Sequence, residues 1–173
     1  MGDQRARTPG QILLNNLIYD ASQTAIPTDD VDPEVLAKPA RWDIRGIERF
    51  MLVFGPVSSV FDYLTFGLLL WLLGVTADAF HTGWFIESLF TQILVVLVIR
   101  TRRSPFWRSR PSSQLMAAIA LALAAAIVIP LSPLGPVFGF TGLPAAYWLF
   151  LVAIVATYLT LVEVTKRWFD RHW

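Results

Sequence analysis

The sequence predicts an all-α, polytopic transmembrane helix bundle: four full spans plus one short polar N-terminal segment. Three observations carry that prediction. Hydrophobic residues make up 55% of the 173 positions and charged residues only 16%, well under the quarter that is usual in soluble domains. Mean hydropathy is +0.54. Four apolar stretches, at 50–74, 84–100, 113–131 and 144–165, each have the roughly 17–25 residues that a helix needs to cross a hydrocarbon core.

Residues 1–10 read as a leader. They do not form a signal peptide, because Asn15, Asn16 and Asp20 interrupt the apolar stretch behind them and no small-residue cleavage site follows. Met1-Gly2 opens like a myristoylation site, but Ala6 stands where Ser or Thr is required. Residues 11–27 form a shorter helix carrying Asn15, Asn16, Asp20, Ser22, Gln23 and Thr24. One central Asp costs about 2.5–3.5 kcal/mol on an insertion scale, so this segment needs other helices packed around it.

A loop over 28–49 follows, and its acidic cluster Asp29, Asp30 and Asp32 beside Pro33 reads as a solvated turn. A four-helix membrane domain over 50–170 comes next, with a 171–173 tail. In its first span, Gly55-Pro56 is expected to break or kink the helix. The second span carries a polar stripe of Glu87, Ser88, Thr91 and Gln92. Glu87 sits near the span's outer end and is expected to reach the interface, whereas the deeper Gln92 is expected to face the bundle. Small residues from Ala117 to Ala126 suit close helix approach in the third span, and the Pro130, Pro133, Pro136 series ends it. In the last span Glu163 is expected to pair with Lys166 or Arg167 at the surface.

Loop charges orient the bundle. Lys38, Arg41, Arg45 and Arg49 lie in one connection, Arg100, Arg102, Arg103, Arg108 and Arg110 in another, and Lys166, Arg167 and Arg171 at the end. The alternate connections, 75–83 and 132–143, carry no Lys or Arg. The positive-inside rule places the basic loops and the C-terminus in the cytoplasm, which leaves Arg5 and Arg7 on the opposite side. Trp42, Trp84, Trp107, Trp148 and Trp168 recur near span ends, the interfacial belt of a multi-pass protein. The expected partner is a lipid bilayer, and no nucleic acid.

Polar groups at bilayer depth are costly and mark ion paths. Asn16 and Asp20, four apart, project from one helical face, with Tyr19 and Gln23 beside it. Their oxygens are hard donors that suit Mg²⁺ or Ca²⁺; the alternative is a polar contact between helices. Asp62, one turn after Ser58 and Ser59, is either a cation ligand or a buried acceptor for neighbouring hydroxyls. Gln92 is a further candidate. Other chemistry lacks support: there is no cysteine, only His81 and His172, and no Gly-rich phosphate loop. No Asp-Lys-Thr-Gly run occurs, and the 28–49 connection is too short for an ATP-binding domain.

The strings Leu14-Asn15-Asn16-Leu17-Ile18-Tyr19-Asp20, Asp32-Pro33-Glu34, Lys38-Pro39-Ala40-Arg41-Trp42-Asp43 and Gly55-Pro56-Val57-Ser58-Ser59-Val60-Phe61-Asp62 are similar to bacterial magnesium-importing P-type ATPases. Gly83-Trp84-Phe85-Ile86-Glu87-Ser88-Leu89, Arg100-Thr101 with Pro105-Phe106, and Ile129-Pro130-Leu131-Ser132-Pro133-Leu134-Gly135 continue the series in order over about residues 11–170. The resemblance makes 11–27 the sixth pump helix and implies that Asn16 and Asp20, with Tyr19 on the adjacent face, contribute to an intramembrane Mg²⁺ site in a bacterial inner membrane. It also implies a separately encoded catalytic half, through which alone ATP would enter, because the actuator, nucleotide-binding part and first five helices have no counterpart here. A split pump would look like this; so would a truncated remnant, or a non-enzymatic protein that docks on a transporter.

Overall fold

The computed structural model describes residues 4–30, 32–33 and 44–172. Lys38, Arg41 and Trp42 of the predicted cytoplasmic loop, and Trp173, lie outside the described residues. Five long helices follow in order: α1 (Gln4–Gln23), α2 (Ile44–Gly67), α3 (Ala77–Ile99), α4 (Ser113–Leu131) and α5 (Ala145–His172). One π-helical turn, Leu68–Leu72, extends α2, and short 3-10 turns lie at Ile26–Thr28, Phe106–Arg108 and Gly135–Phe138. Four segments are long and apolar enough to cross a membrane: Glu48–Leu72, Ala77–Ile99, Ser113–Leu131 and Ala145–Phe169. The chain is thus a multi-pass membrane bundle. Helix α1, with its polar residues, is not among these four segments.

Local chemistry sets the helix ends. Thr76 caps α3 by accepting from the Ala79 N–H, and Ser112 caps α4 by accepting from the Leu115 N–H at 3.1 Å. Helix α4 stops at Leu131, one residue past Pro130, as the proline series requires. The chain then folds back so tightly that a Cβ on Gly135 would lie 2.3 Å from the Pro130 carbonyl oxygen, so only glycine fits there. Two expectations are corrected. Helix α2 runs unbroken through Pro56, since a proline costs one ladder bond that the turns on either side can carry. Helix α1 begins at Gln4, inside the stretch read as a leader, with Pro9 within it.

Helix α3 is the centre of the bundle: it packs against α1 and α4 on one side and α2 and α5 on the other. Phe85, Ile86, Leu89 and Ile93 of α3 are fully buried, against Leu115, Ile119, Ala122 and Ala126 of α4, Tyr147 and Leu151 of α5, and Ile18 of α1. A second cluster joins Phe54 and Phe61 of α2 to Val98 of α3 and to Tyr158 and Val162 of α5. Small side chains permit the closest approach: a Cβ on Gly83 would meet Leu69 at 3.0 Å and Tyr147 at 3.2 Å. The outward faces keep Leu64, Trp71, Leu121, Val128, Leu149 and Val152 exposed, which suits lipid contact.

At the ends that carry the basic connections, Asp29 and Asp32 of the acidic cluster are held by partners rather than solvated, and Asp30 is exposed. Arg100 donates to Asp29 Oδ2 at 2.6 Å, and the Ser112 N–H donates to Asp29 Oδ1 at 2.9 Å. Asp32 is buried and accepts from the hydroxyls of Thr101 and Ser109. Carboxylates removed from water must be paired, and the basic α3–α4 connection supplies the partners. Glu163 does pair with Lys166 and Arg167, but in the interior rather than at the surface: Glu163 and Lys166 are both buried, and Lys166 Nζ also donates to the carbonyls of Val98 and Arg103.

Candidate intramembrane cation site

Helix α1 divides its polar residues between two faces. Gln11, Asn15, Ile18 and Ser22, spaced by four, three and four, turn inward and are buried, toward α3 and α4. Asn16 and Asp20 are exposed, beside Leu13 and Leu17. Tyr19 is half-buried and packs against the main core. The helix is fixed in this rotation at both ends. Gln11 Nε2 donates to the Phe138 carbonyl at 2.8 Å, and beyond the last turn Asp29 is held by Arg100 and Ser112. Asn16 and Asp20 therefore share an outward face, as their spacing requires. A single face of two such residues cannot surround an ion, and among the described residues no three His, Cys, Asp or Glu side chains cluster.

The neighbouring Asn15 has the opposite fate. It is 4% exposed, and its Nδ2 finds no hydrogen-bond partner. The sequence offered no reason to separate Asn15 from Asn16 beyond the helical phase of Ile18 and Ser22.

Asp62 is half-buried on α2. One turn earlier, the Ser58 and Tyr158 hydroxyls lie 3.0 Å apart. Gln92 is corrected: it is exposed rather than bundle-facing, and its Nε2 donates to Ser88 Oγ at 2.7 Å. The inward side of α3 is taken by Ile86, Leu89, Ile93 and Glu87, and Gln92 lies outside that arc. Glu87 is corrected as well, since it is 1% exposed and does not reach the interface. Thr65, three residues after Asp62 on the same helix face, was missed; it too is fully buried. The i,i+3 spacing to Asp62 was the available signal.

Outside the membrane, burial pushes the Asp32 carboxyl up, but hydrogen bonds from Thr101 and Ser109 and the charges of Arg103 and Arg100 outweigh it and hold the group below the usual carboxylate range. The Asp32 network is therefore ionic at neutral pH.

The family model described as "Cation transporting ATPase, C-terminus" matches residues 7–168. Among curated relatives, "Magnesium-transporting ATPase, P-type 1" of Escherichia coli K12 is 43% identical over 169 residues, and that of Salmonella typhimurium LT2 is 42% identical over the same length. Each match covers 95% of this chain and 19% of the relative, so the chain spans about a fifth of the length of these proteins.

Proposed function

We propose a function from one premise: this chain belongs to the family of cation-transporting ATPase C-terminal domains. It serves as the membrane-embedded C-terminal part of a magnesium-transporting P-type pump, supplying part of the Mg²⁺ path and the supporting bundle. The observation that carries this reading is the outward face of α1, where Asn16 and Asp20 stand exposed on a helix flanked by membrane spans. At bilayer depth such a face is too polar for lipid. It calls for further helices, whose oxygens would complete the roughly six-fold shell of Mg²⁺.

Within that reading the parts divide clearly. Asn16 and Asp20 offer hard oxygen donors, and Tyr19 borders them. The inward face of α1 and the two anchors at its ends hold that helix in register. Hydrolysis of ATP belongs to a separate catalytic part, as do the remaining ligands. The basic connections face the cytoplasm of a bacterial cell and the bundle sits in its inner membrane.

The test is Mg²⁺ uptake by cells carrying the complete pump, with Asp20→Ala made in this segment and assembly followed by co-purification. Loss of uptake with assembly intact is expected; normal uptake overturns the ligand assignment. A second reading rests on Leu13 and Leu17, which are 70% and 62% exposed on the same face and would suit a non-enzymatic protein that docks on a transporter. That reading predicts that Asp20→Ala changes neither uptake nor docking.

A further inference from the structure

A groove of about 330 Å³ runs along α5, walled by Phe106 and Trp107 of the α3–α4 connection. On α5 it extends from Ala156 to Arg167, and the span ends two residues later at Phe169. Eleven residues rise about 16 Å, roughly half of a hydrocarbon core about 30 Å thick. The groove is therefore one leaflet long. Its Arg167 end lies at the headgroup level, on the side that carries the basic connections.

The chemistry changes along this length. Toward the bilayer middle the lining is apolar, with Ala156, Leu159 and Val164, and the Thr160 hydroxyl is turned back onto the Ala156 carbonyl at 2.7 Å. At the other end Glu163 pairs with both Lys166 and Arg167, and one carboxylate between two cations leaves one positive charge over. Arg167 makes its hydrogen bonds to Ser104 and Glu163 through Nε alone. A guanidinium carries five N–H donors, so the four on its Nη atoms remain for another acceptor, and the side chain is 45% exposed. Trp107 stands 69% exposed beside this end, a ring that favours the headgroup level.

An apolar slot one leaflet long that ends in a planar cation has the polarity of a phospholipid. We propose that the groove seats one acyl chain of a membrane phospholipid and that Arg167 holds its single phosphate. The Nη fork matches two phosphate oxygens at once, and one phosphate balances the one charge left over. Spread over its length, about 330 Å³ is too narrow for a partner helix, which is about 10–12 Å across with its side chains. Glu163 and Ser104 act as positioning residues, because their bonds to Nε fix the plane of the guanidinium. The site requires only that the bundle lies in a bilayer and does not depend on the pump reading.

The test uses the full chain, stripped of lipid in detergent micelles and titrated with dioleoyl phosphatidylglycerol, with bound lipid counted by native mass spectrometry. One tightly held phospholipid is expected, and dioleoylglycerol, which lacks the phosphate, should not replace it. Arg167→Gln should weaken retention by about fivefold or more, the change that one basic residue makes at a membrane surface. Ala156→Phe, which fills the slot, should abolish it. Arg110→Gln removes an exposed cation of the same connection outside the groove and should leave it unchanged. Circular dichroism checks the fold of each variant; should Ala156→Phe not fold, Val164→Phe fills the same slot from an exposed position. Equal retention by folded Arg167→Gln, or an equal loss in Arg110→Gln, overturns the proposal. So does binding of dioleoylglycerol or of inorganic phosphate as tight as that of the phospholipid, since either shows that only one half of the lipid is recognised.

Discussion

Arg100, at the end of α3, donates to the Asp29 carboxylate just beyond α1 at 2.6 Å, with both side chains at most a tenth exposed. The same guanidinium reaches Ser109 Oγ at 3.0 Å, and the same carboxylate accepts from the N–H of Ser112, the residue that caps α4. One ion pair thus ties α1 to both α3 and α4. Removing one member of a buried pair leaves its partner charged and uncompensated, at a cost of about 3–5 kcal/mol. Arg100→Ala should lower the thermal midpoint of the chain in detergent micelles accordingly. The double variant Arg100→Met with Asp29→Leu should recover most of the loss but not all, because the Ser112 N–H loses its acceptor. An Arg100→Ala protein as stable as the parent would show that the pair is decorative.

Asp32 makes its hydrogen-bonded network sensitive to acid. Its folded-state carboxyl titrates below the ordinary value of 3.8, so its contribution to stability is fully present above that value and is lost as pH falls through the lower one. The stability difference between the parent and Asp32→Asn should therefore be constant from neutral pH down to about 4 and shrink on further acidification. Thermal midpoints of both proteins across that range check it. A difference that grows with acid would reverse the assigned sign.

What the sequence made legible follows from what each feature depends on. The four spans depend on length and apolarity, and these are properties of a segment by itself. The shared face of Asn16 and Asp20 depends only on helical spacing, and the structure keeps it. Burial of Asp29, Asp32, Glu163 and Lys166 depends on partners some 70 residues away or across a helix interface, which no local pattern reports. Glu87 shows the same limit from the other direction. Its position near the start of a span suggested the interface, but α3 is the central helix of the bundle, and centrality cannot be read along one strand of sequence.

Lys166 and Arg167 both pair with Glu163, yet their environments differ. Lys166 is buried and donates to the Val98 and Arg103 carbonyls at 3.0 Å each, which satisfies acceptors near the end of α3; the Arg167 side chain is 45% exposed. Lys166→Ala should cost about 3 kcal/mol or more, since it breaks a buried ion pair and takes the donor from two carbonyls, even though Arg167 and Ser104 still hold Glu163. Arg167→Ala should cost about 1 kcal/mol or less. Chemical denaturation of both variants in micelles measures the contrast, and equal losses would sink it.

Tyr147 places a hydroxyl inside the bundle, where it donates to the Gly83 carbonyl at 2.7 Å and helps hold α5 against α3. Tyr147→Phe keeps the ring and should cost about 1 kcal/mol. Gly83→Ala should cost more, because its Cβ would press on Leu69 and Tyr147 together. If Gly83→Ala proved the milder change in thermal unfolding, the close approach at Gly83 would not be limiting.

Asn15 and Asn16 are adjacent, and opposite outcomes are expected of them. Asn15 is buried with an unpartnered Nδ2, so within this chain its amide carries a desolvation penalty of about 1–3 kcal/mol. Asn15→Leu, which has a similar shape, should be neutral or stabilising in thermal unfolding, and a marked loss would mean that the amide has a partner the chain needs. Asn16 is exposed. Asn16→Leu should leave the thermal midpoint of the isolated chain within the shift that about 0.5 kcal/mol produces. In the complete pump the ranking should invert, with Asn16→Leu abolishing Mg²⁺ uptake and Asn15→Leu sparing it. Uptake that survived Asn16→Leu and failed with Asn15→Leu would move the cation site from the outward face of α1 to its inward one.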